Sequence, residues 1–188
     1  FSEKDRTDEP KNLYAATKKS NEILAYAYAD LFKINIIGLR FFTVYGPWGR
    51  PDMAPFLFID SIINKKRINV FNSGKMSRDF TYIDDVVNGV IKIFKLKKKG
   101  KYFDVYNIGR GKSIKLQTFI STLENILKIK SKKKLMPFQK GDMIRTLSNI
   151  NKLKKEIKYS PKTSLKAGLL KFCKWYVDYY KIINEKIE

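Results

Sequence analysis

A chain of 188 residues with 44% hydrophobic and 14% aromatic content has a globular composition, and about 70% of its unfolded surface can be buried in a core. It carries 39 Lys and Arg against 18 Asp and Glu, a formal net charge of +21, which raises the question of anionic partners. It has no histidine and one cysteine, which excludes Ser-His-Asp and Cys-His catalysis, imidazole zinc sites, intrachain disulfides and CxxC metal clips.

Residues 1–10 are polar, end at Pro10 and read as a loop. The spacing of Leu13, Thr17, Leu24, Tyr28 and Leu31 predicts a helix over Lys11–Phe32. Ile34–Tyr45 is a continuous β-branched and aromatic run closed by Gly46-Pro47, and it predicts a strand buried on both faces, as in parallel sheets. Pro51–Arg67 reads as a loop and then a helix, Ile68–Phe71 as a short strand, Gly74 as a turn and Asp79–Tyr82 as extended. Ile83–Lys95 is an amphipathic helix with Val86, Val87, Val90, Ile91 and Phe94 on its apolar face.

Tyr102–Ile108 follows as a strand closed by Gly109 and Gly111, and Ser113 is placed to cap a helix over Ile114–Leu127. Lys134–Pro137 reads as a last short strand and Asn149–Ile157 as a short helix. Thr163 is placed to cap a final helix with an apolar stripe of Leu165, Leu169, Phe172, Trp175, Tyr176 and Tyr179, in which Cys173 is a buried small hydrophobe. This alternation predicts an α/β fold with parallel pairing. The start is unusual for that class. Neither G-x-G-x-x-G nor G-x-x-x-x-G-K-[ST] occurs, and Gly-Arg-Gly-Lys at 109–112 is too little for a phosphate loop.

Only seven of the 39 basic residues are arginines, at 6, 40, 50, 67, 78, 110 and 145. Lysine rises together with isoleucine and asparagine, the mark of codon drift toward A/T on solvated positions. The lysine runs 95–101 and 128–134 fall where turns are expected. The competing reading is a basic module for nucleic acid or an anionic surface, which requires the lysines on one face. No signal peptide and no run of 18 apolar residues is present, so a reducing, cytoplasmic setting is expected.

Tyr14-Ala-Ala-Thr-Lys18 sets a phenol and an ammonium at i and i+4 on one helix face. A neighbouring cation favours the phenolate, so the pair suits general acid/base work. That spacing alone is common in purely structural helices. The surrounding blocks are more specific: Tyr14-Ala-Ala-Thr-Lys-Lys-Ser-Asn-Glu22, then Gly38-Leu-Arg-Phe-Phe-Thr-Val-Tyr-Gly-Pro-Trp-Gly-Arg-Pro-Asp-Met-Ala54, then Ser77-Arg-Asp-Phe-Thr-Tyr-Ile-Asp-Asp85.

In that order they resemble the extended short-chain dehydrogenase/reductase family, the NAD-dependent nucleotide-sugar epimerases and dehydratases. The Phe-Phe-Thr-Val-Tyr-Gly-Pro-Trp-Gly-Arg-Pro-Asp-Met block is most similar to UDP-glucuronate 4-epimerases of capsule and surface-polysaccharide pathways. The resemblance runs from about Asn12 to Tyr180. It implies that Tyr14 exchanges a proton with the sugar 4-hydroxyl while hydride passes to NAD, through a 4-keto intermediate. It implies that Lys18 binds the nicotinamide ribose and that Phe42 lines the nicotinamide site. Thr43 and Arg50 would lie by the sugar carboxylate, Val70 and Phe71 would cradle the uracil, and Arg78 would take the diphosphate. Asp142 would lie on the uridine side, and Gln139 stands where galactose epimerases carry an arginine.

Read without the family, Thr43, Val70 and Phe71 are ordinary strand or core residues. Arg78 is then a local partner of Asp79, and Arg40 is a structural ion-pair partner. Arg50, in a loop after a strand's carboxyl end, keeps an independent case as a carboxylate ligand.

The expected fold is the C-terminal part of a Rossmann-type doubly wound parallel sheet plus the small substrate-binding α/β domain. The N-terminal NAD-binding βαβ units and the Ser/Thr that completes the catalytic triad are missing. Residues 11–50 would close the Rossmann part, and 51–188 would be mostly substrate-binding with returning Rossmann elements. The expected partners are a UDP-sugar, a separately encoded N-terminal half and a second copy in a homodimer, with neither nucleic acid nor membrane. The chain by itself is expected to be inactive and to self-associate. Another epimerase or dehydratase of the same family is the alternative reading.

Overall fold

The structure is a computed structural model that describes residues 1–96 and 102–182. The lysine run 95–101, expected at a turn, lies from residue 97 onward outside the described residues.

The first helix, α1, spans Leu13–Phe32 and starts two residues later than the periodicity predicts, because Asn12 caps it by accepting from the Ala15 amide at 2.8 Å. The predicted strand 34–45 is two strands, β1 (Ile36–Phe41) and β2 (Thr43–Tyr45). They break at Phe42, where the chain changes partners. β1 pairs in parallel with β5 (Phe103–Ile108), and β2 pairs in parallel with β4 (Ser77–Tyr82). Neither face of β1 is sealed: its residues are half-buried and Phe41 is exposed.

Between these pairs lie α2 (Ala54–Ile63), β3 (Arg67–Val70) and a 3₁₀ turn at Phe71–Gly74. α3 (Ile83–Phe94) follows β4. Ser113 does not cap a helix. Ser113–Lys115 forms β6, antiparallel to β4, and α4 begins only at Leu116, because the ladder already uses the backbone of these three residues. β7 is Lys132–Leu135, two residues earlier than predicted, and it pairs in parallel with β3. α5 spans Asn151–Ile157 and α6 spans Leu165–Tyr179. The cap of α6 is Ser164, accepting from the Ala167 amide. Thr163 instead donates its amide to Asp85, which draws it out of the cap position.

Two cores result. The larger packs α2, α4 and α6 against β2 and β4 around Phe58, Ile59, Phe80, Phe119, Leu123, Leu169 and Phe172, with the Phe80 and Phe119 rings 4.2 Å apart. Each such side chain contributes about 1.5–3 kcal/mol on burial. Cys173 lies fully buried here, and desolvation pushes its thiol up to about 12, which leaves it unreactive. The smaller core joins α3 and α5 to β5 through Val86, Ile93, Tyr106, Ile108, Leu153 and Tyr159.

The apolar stripe of α1 faces outward, contrary to its periodicity, and that of α3 is split between core and surface. On α1, Leu13, Leu24, Tyr28 and Leu31 are 57–86% exposed, because the helix turns Glu22 and Ala29 toward the strand pair β1–β5. On α3, Val87, Ile91 and Phe94 are exposed while Val86 and Ile93 enter the core. Apolar surface of this extent favours self-association. Sedimentation velocity is expected to show the weight-average mass of the pure chain rising with concentration; a single monomeric species from about 5 to 100 μM would refute this.

Candidate functional site

The chain is folded around two neighbouring clefts. The first, about 580 Å³, is lined by Tyr14, Lys18, Phe42, Glu22, Arg40 and residues of the segment 1–12. Tyr14 stands in the first turn of α1, and the Lys18 ammonium lies 5.2 Å from the centre of its ring, so the i, i+4 spacing does bring the pair together. Asn12, which starts the helix, also donates through Nδ2 to the Gly141 carbonyl at 3.4 Å and so ties α1 to the segment around residue 141.

The floor is set by an ion pair. Arg40 donates from Nε and Nη2 to the two Glu22 oxygens, each at 2.7 Å, which bears out its structural role and docks α1 on β1. The hydrogen bond from Arg40 holds the Glu22 carboxyl below its ordinary value of 4.5, against a smaller opposing push from burial. A depressed folded-state value gives stability that is present above about pH 4.5 and lost as the pH falls through the folded value. Between pH 5 and pH 3 the wild type is therefore expected to lose more stability in urea than Glu22→Gln, by less than about 1 kcal/mol given solvent screening of this half-exposed pair. Equal losses would show that the pair contributes nothing to docking α1.

The second cleft, about 610 Å³, is lined by Thr43, Phe71, Arg78, Gln139 and Asp142, together with Arg67, Asn69, Phe80 and the start of α2 at Met53–Pro55. Phe42 and Thr43 are neighbours in sequence but belong to different clefts, because successive side chains along an extended backbone point to opposite sides. The segment 139–143 is the shared wall: Gly141 and Met143 line the first cleft, and Gln139 and Asp142 the second.

Arg78 does not pair with its neighbour Asp79. Its Nη2 donates to Asp142 Oδ1 at 2.9 Å, across the cleft wall. Asp79 points away, fully buried, where it accepts from the amides of Arg110, Gly111 and Ser148 at 2.8–3.0 Å and from the Ser148 hydroxyl. This knot fixes the backbone immediately after Arg78. It also depends on Gly109, where an added Cβ would lie 2.2 Å from Ser148 Oγ.

Two expected site residues are not brought to a cleft wall. Val70 is buried in the larger core, with only the following Phe71 reaching the cleft, so as a side chain it packs rather than binds. Arg50 lines neither cleft. It is exposed and donates from Nε and Nη2 to Asp52, which does line the second cleft. The Asp52 hydrogen bond is the main cause that raises Arg50 above its usual value. The loop that carries Arg50 is shaped by Gly46, at φ +140°, where a Cβ would meet Ile83 at 2.6 Å. It is braced by Trp48, whose ring lies 5.3 Å from Trp175 and 5.2 Å from Tyr179.

Sequence reasoning missed Arg67 and the burial of Asp79. Arg67 ends the stretch Pro51–Arg67 that reads as a loop and then a helix; its one signal was being an arginine in a chain whose basic residues are mostly lysine.

Residues 1–109 match the NAD dependent epimerase/dehydratase family. Protein CapI of Staphylococcus aureus is 42% identical over 96% of this chain and 59% of its own length. UDP-glucuronate 4-epimerase 5 of Arabidopsis thaliana is 46% identical over 96% of this chain and 44% of its own. The crystal structure of the Bacillus cereus UDP-glucuronic acid 4-epimerase, in complex with UDP-glucuronic acid and NAD, superposes with a TM-score of 0.86 at 35% identity. The match covers 92% of this chain and 55% of that one. The chain thus spans about half the length of the relatives it matches, and within that span the mixed α/β fold with parallel pairing is shared. No helix among the described residues is long and apolar enough to cross a membrane.

Proposed function

The chain belongs to the NAD-dependent epimerase/dehydratase family, and from that premise we propose that it forms the substrate side of a UDP-glucuronate 4-epimerase. The observation that carries the proposal is the division of residues between the two clefts. Tyr14, Lys18 and Phe42 face one; Thr43, Phe71, Arg78, Gln139 and Asp142 face the other; and one peptide bond separates Phe42 from Thr43. A reaction that joins a nicotinamide and a nucleotide sugar at one carbon needs two such sites in contact.

The first cleft fits the nicotinamide end of NAD: it offers a phenol, an ammonium and an aromatic wall. When bound, the cofactor supplies the acceptor for the C4 hydride and returns it to the opposite face of the 4-keto sugar. The chain's own part is to move the proton and hold the substrate. Tyr14 Oη takes the 4-hydroxyl proton as the ketone forms and returns it when the ketone is reduced. Lys18 holds the ribose and keeps a positive charge beside that phenol. In the second cleft Arg78 exchanges part of its bond to Asp142 for the diphosphate, Phe71 and the Val70 backbone flank the base, and Asp142 and Gln139 close the uridine side. Thr43 and Arg50 meet the sugar carboxylate, with Arg50 releasing Asp52 to do so. Residues 11–50 end the cofactor-binding region, and 51–188 are mostly substrate-binding, with β5 returning to pair with β1.

Isothermal titration of the 188-residue chain tests this directly. UDP and UDP-glucuronate are expected to bind, and NAD is not expected to bind this chain alone, since its sequence holds no glycine-rich dinucleotide loop. Conversion of UDP-glucuronate to UDP-galacturonate, followed by NMR, is expected to be absent. Failure to bind UDP would overturn the assignment of the second cleft, and turnover would overturn the dependence on a further cofactor-binding region.

A further inference from the structure

The charges lining the second cleft are unevenly balanced. Arg78 is engaged by Asp142, and Asp52 is engaged by Arg50, so these four largely cancel. Arg67 also lines that cleft, is exposed, and has no ion-pair partner among the described residues. Arg67 opens β3, and register places Lys132 of β7 directly beside it and Lys134 beside Asn69, another cleft residue. Paired residues on adjacent strands share a face and lie about 4.8 Å apart across the ladder. Lys132 and Lys134 therefore stand on the Arg67 face.

Lys133, between them, points to the other side and is consumed there by Glu124 at 3.0 Å. Neither Lys132 nor Lys134 has an ion-pair partner among the described residues. Beyond β7 the backbone stays fastened to the cleft wall, with the amides of Asn72 and Ser73 donating to the carbonyls of Pro137 and Met136. The lysine-rich strand is thus an extension of the cleft's rim.

We infer that Arg67, Lys132 and Lys134 form a cationic rim that captures a nucleoside diphosphate from solution and delivers it to the second cleft, acting on the rate of association rather than on the docked complex. The inference rests on the reading of that cleft as the nucleotide site. Three uncompensated cations on one face beside an anion-binding cleft raise the local concentration of an anionic ligand. Their field extends about 10 Å at 0.1 M salt and contracts as salt rises.

Stopped-flow mixing of a ribose-labelled fluorescent UDP with the full chain tests it. The triple variant Arg67→Gln/Lys132→Gln/Lys134→Gln is compared with wild type and with a charge-matched control, Lys154→Gln/Lys155→Gln/Lys166→Gln, whose positions on α5 and at the start of α6 do not line the cleft. Circular dichroism confirms folding of each. At about 20 mM salt the rim variant is expected to associate roughly three- to tenfold more slowly than wild type and control, with its dissociation rate unchanged; at about 500 mM the gap closes. Equal association rates at low salt overturn the inference, as does an equal slowing in the control, which would assign the effect to net charge. Faster dissociation that persists at high salt also overturns it, making Arg67 a docked contact. Wild-type chain that fails to bind UDP at any salt brings down the reading of the cleft itself, and the inference with it.

Discussion

Asp79→Ala is expected to lower the free energy of unfolding by about 3–5 kcal/mol. The carboxylate is fully buried and accepts from three backbone amides, those of Arg110, Gly111 and Ser148. Its removal strands donors of which the Ser148 amide is fully buried and those of Arg110 and Gly111 partly so, and a buried donor costs about 1–3 kcal/mol when left unpaired. Only the Gly111 amide keeps a second acceptor, Ser148 Oγ at 3.1 Å. Asp79→Asn preserves the volume but turns one acceptor into a donor facing donors, so it too is expected to destabilise, by roughly half as much. Urea unfolding followed by circular dichroism measures both. A loss below about 1 kcal/mol for Asp79→Ala would mean that the knot between β4, the loop after β5 and the segment at 148 is not what fixes the backbone around Arg78.

Arg78→Ala is expected to weaken UDP binding by about two orders of magnitude. Two effects add. The guanidinium that meets the diphosphate is lost, and Asp142, until then engaged at 2.9 Å, is left as an uncompensated negative charge on the cleft wall. Truncating one member of a charge pair in a binding site costs about 2–5 kcal/mol, much of it from the partner left behind. The double variant Arg78→Ala/Asp142→Asn should therefore bind UDP more tightly than Arg78→Ala alone. Uridine, which lacks the phosphates, should be far less sensitive to Arg78→Ala than UDP. Calorimetry with the two ligands separates these contributions. Equal weakening toward uridine and UDP would show that Arg78 acts on cleft shape, not on charge.

The residues legible in the sequence were those whose chemistry is carried by a local spacing. Tyr14 and Lys18 needed only one helical turn to meet, and the elements around them were set by turn residues and periodicity. What could not be read were choices settled by other parts of the chain. Ser113 has the composition of a helix cap, but β4 captures its backbone first as a strand. Thr163 looks as good a cap as Ser164 until Asp85, 78 residues earlier, claims its amide. The apolar periods on α1 and α3 give a face but not its direction: on α1 the outward face is the apolar one, and on α3 the stripe is divided, Val86 and Val90 packing inward and Val87, Ile91 and Phe94 facing out. Arg78 and Asp79 are adjacent in sequence and opposite in charge, which suggests a pair. Strand alternation sends one into the cleft and the other into the interior, so they serve different structures. Arg67 depends on the register of β3 with β7, and the sequence of neither strand specifies that register.

The wall shared by the two clefts has a thermodynamic consequence. Gly141 and Met143 line one cleft and Gln139 and Asp142 the other, within five consecutive residues whose position is also fixed by the Asn12 bond at the head of α1. A ligand that orders this segment from one side makes part of the ordering unnecessary for a ligand arriving on the other. Linkage makes that benefit reciprocal. Filling the nucleotide side should therefore organise the phenol's surroundings before any second ligand arrives, and this gives the pair of clefts a built-in preference for being occupied together.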